Sequence, residues 1–582
     1  MVRKLYFKLL PVQIMIVAMG AVNSVVDGAV AGRYINAATV GVVGLYYSMV
    51  CVIQAIGNMM LGGSSVLCGR FLGGDDLRKT NEVFVLNQAV VFFAGILLNV
   101  LSFVFASPLA TILGTSEVLR GDLILYIRGY AIGIIPMLLA QQLSSFLQLE
   151  RQNTRGLIGV GGMIVANVIL DIVLVAVLRM GVWGLALATA LSNWVYFLIL
   201  FSHYLTPKAQ MRYRFGKINL SELPTICKIG LPGAMTVLCM ALRSMAINRI
   251  LLKYAGEDGL AANSAFSMVS GFIIAFGLGS GAVVRMLTSV FVGEEDRDAM
   301  HDLLRVAETR IIPISVLVGV VTMLFSSVIS AVFFPDRSSA VFGMCRTLIM
   351  IYGASAPLIA MCCLWNNYLQ ALGHNTFVNL FSLFDGFFSC VIPALLLAPF
   401  LGATGVWIAY PVGLILTLLL VPVYAFLTWK RYRITRDEWL FLKPAFGVSD
   451  ADRLDMDLSS VEDVTRTAET VQAFCEAHYM NEKKSYYSAL CLEEMAANIV
   501  EHGFLKDKRK HLIHARVIHK DDEIRLRIKD DCIPFDPKER AELLSGEDVT
   551  KNIGLRMVTK LADEMTYQNL LGLNVLTISV SK

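Results

Sequence analysis

Long apolar runs fill the first three quarters of the chain and end near Tyr424, after which apolar residues recur only at the short periods of soluble helices and strands. A helix needs about 20 apolar residues to cross the hydrocarbon core of a bilayer. Runs of that size fall at 9–31, 44–69, 84–106, 123–147, 156–178, 182–205, 225–252, 263–292, 308–334, 345–370, 376–398 and 404–428. Gly and Pro interrupt several of them, which a membrane bundle tolerates. The pattern predicts an all-α polytopic membrane protein with twelve transmembrane helices. The basic stretch 1–8 runs into the first span without a small-residue cleavage site, so it reads as the start of that helix and not as a removed signal. Beyond Arg433 the periods predict helices over 461–478 and 483–503, strands over 512–519 and 523–530, a helix over 553–562 and a strand over 574–580. That order predicts a C-terminal α/β sandwich.

The spans repeat. Leu10-Pro11 returns as Leu231-Pro232 and Pro136 as Pro357, and the string Phe146-Leu-Gln-Leu-Glu-Arg-Gln-Asn-Thr154 returns as Tyr368-Leu-Gln-Ala-Leu-Gly-His-Asn-Thr376. Gly181-Val-Trp183 matches Gly405-Val-Trp407, and Phe71-Leu-Gly-Gly-Asp-Asp76 matches Phe291-Val-Gly-Glu-Glu-Asp296. Six spans per copy make two parallel lobes, 1–220 and 221–433, with a linker over 434–455 and a soluble domain over 456–582. Two such lobes suit alternating access, with substrate bound between them.

Composition supports the division. The chain is 56% hydrophobic and 16% charged, against about 25% charged in ordinary globular domains, and its mean hydropathy is +0.63. The net charge of +4 sums two unlike parts, and no nucleic-acid partner is expected. Loops on the side of both ends hold Arg3, Lys4, Lys8, Arg70, Arg78 and Lys79, then Arg297, Arg305, Lys430 and Arg431. The opposite loops hold Arg33, Arg120, Arg179, Lys253, Arg337 and Arg346, with Arg128 near a helix end. The fuller tally favours the first side, so both termini are expected in the cytoplasm of a bacterium and the chain in its inner (plasma) membrane. Eleven scattered cysteines show no C-x-x-C spacing and read as reduced thiols, with no metal site indicated.

A carboxylate in mid-membrane is costly, by at least about 2.5 kcal/mol, so a retained one usually has a task. Asp27, Asp171 and Asp385 lie inside apolar runs, and Asn167 and Asp171 are spaced to share one helix face. Burial and a second carboxylate both favour the protonated form of an acid, so Asp27 and Asp171 are candidates for holding H+ or Na+. The segments Val26-Asp-Gly-Ala-Val-Ala-Gly-Arg33, Asn167-Val-Ile-Leu-Asp171 and Gly181-Val-Trp-Gly-Leu-Ala-Leu-Ala-Thr189 resemble the multidrug and toxic compound extrusion (MATE) family over roughly residues 1–435. The resemblance implies export of cationic or amphipathic organic compounds in exchange for H+ or Na+. It assigns the coupling cation to Asp27, Asn167, Asp171 and Thr189. The chain departs from some Na+-coupled members: no acid lies near Met240 or Met361, and Asn248 stands in the second copy where Asp27 stands in the first. Arg243, within the seventh span, has no obvious partner in the sequence.

In the tail, Glu494 and Asn498 share a helix face, Ile528-Lys-Asp-Asp-Cys-Ile-Pro-Phe-Asp-Pro537 forms an acidic turn, Asn552-Ile-Gly-Leu-Arg-Met-Val558 opens a helix, and Asn574-Val-Leu-Thr577 ends the domain. In this order they resemble the histidine-kinase-like ATPase fold, closest to the anti-sigma-factor serine kinases. The resemblance implies ATP and Mg2+ as cofactors. It makes Glu494 the catalytic base, Asn498 the Mg2+ ligand, Asp530 the adenine-reading carboxylate, Gly554 the phosphate-loop glycine and Thr577 a support for the adenine site. Cys532 replaces an expected glycine, and only Gly554 remains of the second glycine box. The tail lacks the G-x-x-x-x-G-K-[ST] phosphate loop, so ATP is not expected to energise transport. The expected function is a cation-coupled antiporter whose ATP-binding domain regulates it or signals to a cytoplasmic protein. The alternatives are a membrane receptor-kinase and a lipid-linked saccharide flippase.

Overall fold

The computed structural model describes residues 2–35, 37–113, 117–150, 152–207, 209–213, 219–334, 336–444, 446–478, 480–504, 511–520, 523–537 and 553–581. Among the described residues, eight helices are long and apolar enough to cross a membrane, or ten when each of two bent pairs counts as one span. The sequence predicts twelve. The difference lies partly in the stretch Asn375–Trp429, which carries two predicted runs and counts as one span. Helix Leu223–Gly293 turns at Gly256 (φ 64°, ψ −159°), and helix Ser389–Trp429 turns at Gly402 (φ 58°, ψ −136°). Both dihedral pairs are open to glycine and closed to residues with a Cβ. The bent pairs Leu119–Ala131 with Ile134–Leu149 and Ala340–Ala354 with Ala356–Leu372 each bend by 47°. In both, a proline (Pro136 or Pro357) sits in the first turn after the break, where its missing N–H does no harm. The two copies thus repeat the same kink for the same reason.

The helical part is apolar outside as well as inside. Phe93, Leu324 and Phe400 are 65%, 74% and 85% exposed, an arrangement stable in lipid and not in water. At one end, helix Ala37–Gly73 of the first copy packs on helix Leu223–Gly293 of the second with no room for side chains. A methyl group on Gly73 would collide with the Val290 carbonyl, and one on Gly293 with the Arg70 carbonyl.

Among the described residues the tail forms a five-stranded antiparallel sheet in the order β1-β2-β3-β5-β4. Its strands are β1 (Arg453–Leu458), β2 (Ile513–Lys520), β3 (Glu523–Asp530), β4 (Glu564–Leu570) and β5 (Leu573–Ser581). Helices Val461–Ala477, Glu482–Asn498 and Ile553–Leu561 cover one face and form with it a separate core that includes Val471, Leu492, Leu526, Ile528 and Ile578. Ser460 and Asn481 cap the first two helices by accepting from Asp463 N and Lys483 N. Two strands differ from expectation. β1 begins inside the stretch read as linker, and β4 falls where no strand is predicted. The linker itself is packed: the Tyr368 hydroxyl donates to the Leu440 carbonyl at 2.9 Å, and Leu440, Phe441 and Leu442 are buried in the core of the helical part.

Candidate functional site

Asp27 lies near the end of helix Val2–Val30, and Asn167 and Asp171 form the last turn of helix Asn153–Asp171, which continues as a π-helical turn, Ile172–Val177. Such turns widen the helix and recur at functional sites. Thr189, on helix Gly181–Phe201, donates from Oγ1 to Asp27 Oδ2 at 3.1 Å. Asn167 and Asp171 lie against Asp27, so the structure brings together all four residues assigned to cation coupling. All four are buried. Among the described residues no hydrogen-bond donor reaches Asp27 Oδ1 or either carboxylate oxygen of Asp171. Two ionised carboxylates offer each other only lone pairs. A proton or a small cation between them would supply what both lack.

The sequence reading missed the aromatic wall of this cluster. Tyr126 and Tyr130 adjoin Asp27, and the Tyr46 ring stands 5.2 and 4.8 Å from theirs. Their spacing of four in an apolar run was the available signal. Asp385 is elsewhere, in the second copy. The Arg243 Nη1 donates to the Asp385 carbonyl at 3.3 Å, and its guanidinium lies 5.4 Å above the Tyr410 ring. Tyr352, 222 residues after Tyr130, completes that group with its hydroxyl 3.3 Å from that of Tyr410.

In the tail, Glu494 and Asn498 occupy the helix over the sheet, Asp530 ends β3, and Gly554 opens helix Ile553–Leu561. The Glu494 carboxylate lies so close to Gly554 that a Cβ there would overlap it. Asn498 Nδ2 donates to the Glu494 carbonyl at 2.8 Å, which leaves its amide oxygen unused by that bond. Asp530 Oδ1 accepts from Asn574 Nδ2 at 2.7 Å and from Cys532 N at 2.8 Å. Burial pushes the Asp530 carboxyl above its ordinary pKa, against the pull of those bonds. The Cys532 side chain is buried and approaches Gly503, whose missing side chain makes room for it. Thr577 is not part of this group. It projects from the opposite face of β5 and donates to Asp75 Oδ2 at 3.1 Å. Register explains the difference: Leu576 and Ile578 face the helices, so Thr577 between them faces away. Asn552, the start of the glycine box, lies outside the described residues.

Family comparison completes the picture. The MatE family model matches residues 14–174 and, a second time, residues 232–393. The chain belongs to the MATE family of multidrug efflux transporters. The double match coincides with the internal repeat, and the model of the histidine kinase-like ATPase domain matches residues 458–580. This MATE transporter is 21% identical over 431 residues to the probable multidrug resistance protein YoeA of Bacillus subtilis (strain 168), spanning 72% of this chain and 92% of YoeA. It is 25% identical over 401 residues to the multidrug export protein MepA of Staphylococcus haemolyticus (strain JCSC1435), spanning 67% and 86%. Its fold is that of the Vibrio cholerae MATE transporter VcmN, solved as a point mutant, with TM-score 0.68 and 18% identity over 76% of this chain and 99% of that one.

Proposed function

We propose that this MATE transporter is a cation-coupled antiporter that exports organic cations and amphipathic compounds. H+ or Na+ entering through Asp27, Asn167, Asp171 and Thr189 would drive it. The observation that carries the reading is the buried Asp27–Asp171 pair, with three carboxylate oxygens that no donor among the described residues reaches. Loading the pair with a cation removes a buried charge, and emptying it restores one. That difference is large enough in a low dielectric to bias which side of the bilayer the lobes open to. The substrate class rests on the multidrug relatives and on the apolar, aromatic surroundings of the acids. Counting the turn at Gly402 as a hairpin between two spans, and helix Val2–Val30 as the first span, supports twelve spans in two lobes, with both ends in the cytoplasm.

The tail fits ATP with Mg2+ as a regulatory ligand. Asp530 would take the adenine amine, the Asn498 amide oxygen the metal ion, and the free amides opening helix Ile553–Leu561 a phosphate. Glu494, beside Gly554, would orient a water or hydroxyl. Bound nucleotide supplies a transferable terminal phosphoryl group.

The test is efflux from proteoliposomes carrying an imposed H+ or Na+ gradient and no nucleotide. The wild type should transport, and Asp27→Asn and Asp171→Asn should each fall to the level of empty liposomes. Transport that appears only on adding ATP would overturn the reading.

A further inference from the structure

We propose that the ATPase-like domain is a latch across the two lobes: its outer sheet face grips equivalent acidic loops on both and holds their tail-side ends together. The inference rests on the two lobes rocking, as proposed above. It goes beyond that reading in assigning the domain a mechanical task and its site of action.

The gripped loops are copies of one another. Asp75 and Glu295 both take the left-handed conformation, with φ of 63° and 54°. The next residue caps the following helix in each, Asp76 accepting from Lys79 N and Asp296 from Ala299 N, both at 2.9 Å. The loops close the seam where Gly73 and Gly293 meet backbone of the other copy. The strands alternate, with apolar residues toward the helices and, on β2 and β3, charged ones (Arg516, Arg527, Lys529) toward these loops. From β3, Arg527 reaches Asp75 Oδ2 of the first lobe at 2.6 Å, and Lys529, two residues on, reaches Glu294 Oε2 of the second at 2.7 Å. One strand therefore holds both lobes. Gln568 on β4 and Thr577 on β5 add bonds to Asp75 at 2.7 and 3.1 Å, and Arg516 on β2 reaches Asp296 at 2.8 Å. The β4–β5 hairpin seats Leu570 and Leu571 in the transporter core, with Leu571 N donating to the Leu149 carbonyl at 3.0 Å.

These are not surface ion pairs. The side chains of Arg527 and Asp75 are 3% and 13% exposed, those of Lys529 and Glu294 11% and 3%, and those of Arg516 and Asp296 8% each. A buried pair adds little net stability, but parting it strands a charge. The lobes cannot separate on this side without parting either the Asp75 contacts or the Glu294 and Asp296 contacts. The docked domain therefore disfavours the state open toward the tail, and its release permits it. The strand that grips the second lobe through Lys529 also carries Asp530, whose side chain points to the candidate nucleotide site on the other face. The latch and that site share a backbone.

The test reads lobe separation in full-length protein in nanodiscs, by electron–electron distance measurement. Spin labels would be carried on non-canonical amino acids at Arg78 and Arg305, one on each lobe and both exposed. Wild type should show one short distance. Arg527→Glu with Lys529→Glu should raise the long-distance population within the 5–150-fold range usual for coupling between sites, roughly. Asp75→Arg with Glu294→Lys, which leaves the tail sequence intact, should do the same. Combining all four changes restores complementary charges and should return the short distance, a rescue that an unfolded tail would not give. Unchanged distances in both double variants, or no rescue in the fourfold one, overturns the latch. Distances need no transport, so efflux surviving Asp27→Asn and Asp171→Asn would sink the coupling reading without touching this one.

Discussion

Each lobe carries an acid in its fifth span, and the two acids keep opposite company. In the first lobe Asp171 lies against Asp27, with Asn167 and Thr189 beside them and no cationic side chain among these partners. In the second lobe Asp385 has Arg243 at hand, and that guanidinium is spread over the Tyr410 ring. Arginine stays charged at any physiological pH, so the second group has a positive charge built in near its acid, held by the Asp385 main-chain carbonyl. The first group needs one delivered. Duplication kept the kinks, the tyrosines Tyr130 and Tyr352, and the loops, while the chemistry of these acids diverged. One lobe is able to exchange a cation and the other is set up to stay as it is.

The largest expected effect comes from making the first lobe like the second. Asn167→Lys would place a permanent ammonium against Asp27 and Asp171, occupying the place of the exchanged ion. Gradient-driven efflux should fall to background while the protein still purifies and unfolds near the wild-type temperature. Retained efflux with unaltered ion dependence would mean that the acid pair is not where the ion goes.

The reverse change should be felt as stability. Arg243→Met keeps length and apolar contact but removes the hydrogen bond to the Asp385 carbonyl, the positive charge near that acid and the cation over the Tyr410 ring, which should cost roughly 1–3 kcal/mol. Thermal unfolding in detergent would read it, and the double variant with Asp385→Asn should recover the share of the loss due to charge. No recovery would show that the arginine acts through the carbonyl and Tyr410 alone.

How much of this could be read in the sequence depends on the range of the interaction. Spans are legible because 20 apolar residues in a row have few other uses, and Asp27 and Asp171 are legible because they interrupt such rows. The Arg243–Asp385 contact is not, since the partners stand 142 residues apart and neither residue type names the other. β1 reads Arg-Leu-Asp-Met-Asp-Leu and β4 contains no Val or Ile, so both look like loop until neighbouring strands pair with them. Arg516, Arg527 and Lys529 look like the ordinary polar side of half-buried strands. Only the folded structure places a second acidic surface against that side.

The smallest effect tests whether pH acts on the buried acids or on the loops. Asp296 faces Arg516 and Lys529; Arg516 is braced from behind by Asp455, which His514 also binds. Burial raises the Asp296 carboxyl, but Arg516 and Lys529 outweigh it and hold it below its ordinary value. Its contribution is therefore complete above about pH 3.9, the unfolded value, and disappears only as pH falls through the lower folded one. His514 runs the other way. Burial opposes its charge, yet Asp455 and Asp457 raise its pKa, so its hold on Asp455 is complete below about pH 6.5 and fades as pH rises through the raised value. In the variant carrying both Asp27→Asn and Asp171→Asn, whose acid pair no longer takes up a proton, the Arg78–Arg305 distance distribution should stay constant as pH falls from about 6.5 to 5. It should loosen only on the alkaline side, by no more than about fivefold, the reach of a partly exposed pair. Opening between pH 6.5 and 5, roughly the range in which carboxylates at ordinary values begin to protonate, would move the acid-sensitive element from the first lobe to the loops. The contrast between the lobes would then no longer account for coupling.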